Sequence, residues 1–218
     1  MSAQASIHPT AIVAPGAQIP ASCNVGPWCT IGPNVILGEN CELISHVVLD
    51  GHLTIGRNNR IFSFACLGIA PQDLKYAGEP TCLEIGDSNS IREYVTVSRG
   101  TKGGGGTTRI GNNCLIMAYT HIGHDSVIGD HCILANSATL AGHVIVEDYA
   151  VVGALCPVHQ FCRIGRHAYR LLQASKLNTT DALAAIRATL ADSASPADTE
   201  HVAYLADFIA GSYRGIIK

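Results

Sequence analysis

The chain has 218 residues, a formal charge of −3 and no basic run, a balance that argues against nucleic acid as a partner. It is 47% hydrophobic but only 14% charged and 6% aromatic, so its interior must draw on aliphatic residues and 22 glycines rather than on large rings, which points to many thin, similar layers. No apolar run is long enough to span a bilayer, and the opening MSAQASIHPT has no basic region followed by an apolar stretch. The expectation is a soluble cytoplasmic protein without stable membrane insertion.

Taken every sixth residue, the chain reads Ile7, Val13, Ile19, Val25, Ile31, Leu37, Leu43, Leu49, Ile55, Ile61 and Leu67, all aliphatic and in one phase. A first interruption, GIAPQDLKYAGEPTC (68–82), carries charge and aromatic character. The beat then resumes at Ile85, Ile91 and Val97. A second interruption, SRGTKGGGGTT (98–108), is glycine-rich and lacks the GK[ST] ending of a phosphate-binding loop, so it reads as a flexible excursion. From Ile110 the beat runs through Ile116, Ile122, Ile128, Leu134, Leu140, Val146, Val152 and Val158 to Ile164.

This period is neither that of an α-helix nor that of a long alternating strand. It fits a parallel β-helix in which each hexad supplies one short strand and a corner. Glycines directly after the beat (Gly26, Gly32, Gly38, Gly56, Gly86, Gly111, Gly129, Gly165) suit corners where a side chain would clash. The residue two before each aliphatic also points inward, because strand side chains alternate. Cys23, Cys29, Cys41, Cys114, Cys132, Cys156 and Cys162 fall there; with an odd total of nine and no C-x-x-C pair, they read as small hydrophobes.

Beyond Ile164 the beat fails. TTDALAAIRATLADS offers Thr180 or Asp181 as a cap and Leu183, Ile186 and Leu190 on one face. The last stretch starts with Pro196 and Asp198 and continues with Val202, Leu205 and Phe208 or Ile209. The predicted organisation is a solenoid over 1–169, with loops at 68–82 and 98–108, and a helical region over 170–218 that closes its end.

The stretch THIGHDSVIGD (120–130) concentrates the candidate chemistry. Ile122 is an inward position, so His121 faces outward from a flat side, and His124 and Asp125 fall on the next corner. An imidazole beside a carboxylate can act as a general base near neutral pH. Two other readings stay open on the residues alone: histidines merely tolerated on polar corners, or histidines of neighbouring coils gathered around zinc. Carboxylate and glutamine neighbours suit zinc less well.

Several phrases carry a specific resemblance: SHVVLDGHLTIG, QDLKYAGEPT, IREYVTVSRGT, YTHIGHD, CILANSATLAGHV and VHQFCRIG, with SYRGI near the end. Together they resemble the acyl-[acyl carrier protein]–UDP-N-acetylglucosamine O-acyltransferases, which perform the first step of lipid A biosynthesis. The resemblance implies a left-handed parallel β-helix with three hexads per coil, a homotrimer, and active sites in clefts between subunits. On such an eighteen-residue coil, His124 stacks beneath Gly142 and Gly142 beneath Gln160, while Asp125 stacks beneath His143 and His159 lies adjacent.

The implied reaction moves an (R)-3-hydroxyacyl chain from acyl carrier protein to the sugar 3-hydroxyl. His124 is then the general base, Asp125 its support, and the Gly142 N–H the oxyanion donor. Asp73 and Lys75 on the first loop look like sugar and phosphate contacts, and His121, His143, His159 and Gln160 like substrate-cleft residues. The thioester is already activated, so no metal or cofactor is implied. The resemblance departs after Tyr169, which runs straight into RLLQASKLNTTDALAAIR. The family segment missing there carries nucleotide-binding, chain-measuring and carrier-protein contacts. A trimeric non-catalytic relative and a carbonic-anhydrase-like zinc protein are the alternative expectations.

Overall fold

The computed structural model describes residues 5–165. The junction after Tyr169 and the helical region expected over 170–218 lie outside the described residues. Within them the chain winds as a left-handed parallel β-helix with three flat faces. The first face stacks eight parallel strands from Ser6–Ile7 to Val151–Val152, and the second stacks eight from Ile12–Val13 to Pro157–Val158. The third stacks seven from Val35–Leu37 to Arg163–Ile164. His121 pairs with Thr139 and Ile122 with Leu140, an eighteen-residue register that repeats through the upper coils. Among the described residues no helix is long and apolar enough to cross a membrane.

The six-residue beat is the core. Ile31, Leu43, Leu49, Ile55, Ile61, Leu67, Ile91, Ile116, Ile122 and Ile128 are all fully buried. Ile7, at the first coil, remains 42% exposed because no coil precedes it among the described residues. The second inward column is more polar than its cysteines alone imply. Cys23, Cys41, Cys114 and Cys132 send their thiols to the carbonyls of Gly38, Gly56, Gly129 and Glu147, each at 3.1 Å. Buried Asn59 and Asn89 occupy the coils between them, and their Nδ2 atoms donate to the Gly86 and Gly111 carbonyls at 2.8 and 2.9 Å. Burial pushes the Cys41 thiol up to about 11, which keeps it a neutral, unreactive group. All nine cysteines are free, with Cys156 and Cys162 half-buried near the end of the described stack.

The corners divide two tasks between adjacent residues. The glycine after the strand makes room: a Cβ at Gly26 would lie 1.7 Å from the Ile44 carbonyl oxygen. The left-handed conformation falls two residues later, on side-chain-bearing residues, and from Asn113 to Phe161 it recurs at every sixth position. Such a conformation costs a non-glycine residue about 1–2 kcal/mol. The stack offsets that cost, because the N–H of the left-handed residue donates to the corner carbonyl of the preceding coil. His143 to His124 (2.9 Å) and Asn58 to Glu39 (2.8 Å) are examples.

Both interruptions of the beat leave from one corner, between the second and third faces. The first connects Cys66–Ile69 to Cys82–Ile85, and the second connects Thr96–Ser98 to Thr107–Ile110. The next coil turns that same corner through Gly123, His124, Asp125 and Ser126.

Candidate active site

His124 and Asp125 are each only 7% exposed, an unusual burial for two polar residues on a solenoid corner. Their side chains face each other, with Nδ1 of His124 2.8 Å from Oδ2 of Asp125. The carboxylate accepts two further donors: the Thr101 N–H reaches Oδ1 at 2.8 Å, and the Thr101 hydroxyl reaches Oδ2 at 2.6 Å. The Asp125 N–H donates to Thr108 Oγ1 at 2.8 Å. An ionised carboxylate that accepts the Nδ1 proton of its neighbour fixes one tautomer and leaves the Nε2 lone pair available.

One coil on, Gly142 lies against the His124 ring; a Cβ there would stand 2.6 Å from Cε1 and 2.7 Å from Nε2. The Gly142 N–H makes no hydrogen bond within the described residues. His143 meets the His124 ring edge-on at 5.1 Å and stacks on Phe161 at 4.5 Å. Its Nε2 is 3.9 Å from Asp125 Oδ2.

The remaining residues singled out from the sequence divide into two groups. Asp73 and Lys75 join His143 and Phe161 in lining a cleft of about 240 Å³, together with Tyr76, Thr101 and Lys102. The Lys75 N–H bonds to Asp73 Oδ1 at 2.9 Å, which shapes the tip of the first loop. His121, His159 and Gln160 lie outside this cleft wall. His121 sits on the second face with Nδ1 2.8 Å from Thr96 Oγ1, and burial, then the nearby His124 charge, lowers its basicity. His159 and Gln160 are exposed on the coil above Gly142.

The second loop corrects the sequence reading of a flexible excursion. It holds a short 3-10 turn at Lys102–Gly104 and is tied down through Thr101. Arg99 clasps its base, donating to the Gly68 carbonyl at 2.6 Å and to the Tyr76 hydroxyl at 3.0 Å, and so joins the two loops. Thr101, Arg99, Tyr76 and Phe161 are the residues that sequence reasoning missed. Phe161 sits eighteen residues beyond His143 and was accessible to the stacking argument; Thr101 was not, because the loops break the coil register.

His124, Asp125 and His143 have donor atoms within 4.8 Å of one another, a spacing that a metal ion could also use. The hydrogen bonds argue otherwise. Both Asp125 oxygens already accept donors, and His124 Nδ1 is turned to one of them, so the group is set up to hold a proton rather than a cation.

Repeat, handedness and buried corner dyad define a class, the bacterial transferases built from hexapeptide repeats. The six-repeat model of that class matches residues 107–142. The chain is similar to the acyl-[acyl-carrier-protein]–UDP-N-acetylglucosamine O-acyltransferase of Verminephrobacter eiseniae, with 60% identity over 163 residues. That match covers 75% of this chain and 62% of the length of that relative. The crystal structure of UDP-N-acetylglucosamine O-acyltransferase (LpxA) from Moraxella catarrhalis aligns with a TM-score of 0.80 at 35% identity, covering 97% of this chain and 99% of the other. LpxA from Acinetobacter baumannii aligns with 0.81 at 36% identity over the same shares. The chain belongs to the UDP-N-acetylglucosamine O-acyltransferase family.

Proposed function

We propose that this protein transfers an (R)-3-hydroxyacyl group from acyl carrier protein to the 3-hydroxyl of UDP-N-acetylglucosamine, the first step of lipid A biosynthesis. Family membership supports the substrates. The observation that carries the chemistry is the buried His124–Asp125 pair at 2.8 Å, set against a side-chain-free Gly142.

In this reading Asp125 holds the Nδ1 proton of His124, and Nε2 takes the proton of the sugar 3-hydroxyl as its oxygen attacks the thioester carbonyl. Charge then develops on the former carbonyl oxygen, where the unpaired Gly142 N–H donates to it. Collapse of the tetrahedral intermediate expels the carrier thiolate, which takes the proton back from the His124 imidazolium. The thioester is reactive enough that the step calls for no metal or cofactor.

Lys75 supplies a cation for the diphosphate and Asp73 an acceptor for sugar hydroxyls, both on the loop that faces His143 across the cleft. His121, His143, His159 and Gln160 are assigned to the wider substrate surface, which in a homotrimer would lie between subunits. The proposed setting is the cytoplasm. The test is direct: purified protein incubated with UDP-N-acetylglucosamine and 3-hydroxyacyl carrier protein, with products read by mass spectrometry. The expected result is one added hydroxyacyl group per sugar nucleotide. No product at high enzyme concentration overturns the reading.

A further inference from the structure

We infer that Thr101 is a positioning residue for the base: it locks the Asp125 carboxylate and thereby sets both the orientation and the proton affinity of His124. The kinetic part of this inference rests on the acyl-transfer reading above; the proton-affinity part does not.

Thr101 is 8% exposed and grips the carboxylate at two points, N–H to Oδ1 and hydroxyl to Oδ2. Because Oδ2 also receives the His124 Nδ1 proton, the threonine hydroxyl and the imidazole share one acceptor atom. A carboxylate bound this way has no second rotamer to visit, so the ring it orients is held as well. The loop is shaped for the purpose. Gly104 passes so close that a Cβ there would lie 2.1 Å from Asp125 Cγ, which a side chain at that position would prevent. The Gly104 and Gly106 N–H groups fold back onto the Thr101 carbonyl at 3.0 and 2.9 Å, fixing the turn that presents the threonine. Arg99, two residues earlier, ties the same loop to the one that bears Asp73 and Lys75.

Thr101 gives up no proton in the reaction. Its hydroxyl withdraws charge from Oδ2, so it tempers the pull of the carboxylate on the imidazolium. Removing that hydroxyl leaves Asp125 a stronger partner for protonated His124, which raises the affinity of His124 for its proton while loosening the geometry. The other titratable groups next to His124 are His121 on the strand before it and His143 on the next coil, and Asp73, Lys75, Tyr76, Glu79 and Lys102 line the cleft beside His143. None of them is altered by a change at Thr101.

The experiment compares Thr101→Val and Thr101→Ser with wild type in the full chain. First, the ring of His124 is titrated by NMR without substrate. The expected result is an upward move of its midpoint by about half a pH unit or more in the valine variant, restored by serine. Second, kcat is expected to fall about tenfold in the valine variant with KM for the sugar nucleotide unchanged, again restored by serine. Should the valine variant fail to fold, Gly104→Ala, which presses on the same carboxyl group, is expected to disturb the same midpoint. An unmoved midpoint in every folded variant overturns the inference, as does an equal loss of melting temperature and rise in KM without a change in kcat. If wild type transfers no acyl group, the acyl-transfer reading fails, and the ring titration still decides the role of Thr101.

Discussion

Two corners of the prism use the same backbone for different ends. At the corner between the first and second faces, the left-handed positions hold Trp28, His46, Phe64, Tyr94 and Tyr119 over five successive coils, then Ser137 and Leu155. The rings stack coil upon coil at 4.7–6.5 Å, and Trp28, Phe64, Tyr94 and Tyr119 remain 42–60% exposed. At the corner between the second and third faces, the same backbone positions hold Asp125, His143 and Phe161. His143 and Phe161 stack just as the first ladder does, but Asp125 has a side chain with no exposure at all. The difference lies in what covers the corner. The aromatic corner sends out no loop, whereas the other sends out two, and one of them closes on Asp125 through Thr101. A solenoid corner tolerates almost any side chain in solvent; it becomes a site where a loop removes the water and supplies partners.

Substitutions at the two corners can break this comparison. The largest effect is expected at Gly142→Ala, whose Cβ would meet the His124 ring at 2.6 Å. Relieving that contact displaces the ring by roughly 1 Å, a misplacement that costs about a hundredfold in turnover, while Tyr119→Ala on the aromatic corner leaves turnover at the wild-type level in the same assay. A smaller effect separates the two ring stacks. Tyr94→Ala removes a ring with neighbours on both sides and should cost about 1 kcal/mol in denaturant unfolding without touching KM. Phe161→Ala removes the ring against His143 and should raise KM for the sugar nucleotide a few-fold as well.

The smallest effect concerns acid stability. Burial and the His124 charge keep His121 neutral in the folded chain at a pH where the unfolded chain has already protonated it. Unfolding then takes up a proton, so stability holds above about pH 6.5 and declines as pH falls through that value. Urea melts at neutral and mildly acidic pH should show this decline in wild type and a shallower one in His121→Asn. An identical decline in both would remove His121 from the account.

The fold was legible because one aliphatic residue in six survives through every coil, and a narrow interior admits little else. Ile122 and Ile128 placed His124 and Asp125 on a corner before any geometry was known, and the eighteen-residue step placed Gly142 and His143 beside them. Three things were hidden. The left-handed residues carry no common side chain, since their cost is offset by hydrogen bonds between coils rather than by glycine. Asn59 and Asn89 share a column with cysteines, a substitution that makes sense only when the carbonyls they reach are known. Thr101 lies twenty-four residues before Asp125, a spacing that no coil period predicts because the loop between the faces sets it.

The central claim is that the buried corner dyad supplies the base for acyl transfer. It is tested most directly by single-turnover transfer with His124→Asn at saturating sugar nucleotide and carrier thioester. Loss of a positioned general base predicts a fall of about 10²–10⁴ in the chemical step while the fold and sugar-nucleotide binding persist. A rate within tenfold of wild type would contradict the account and move the chemistry away from this corner.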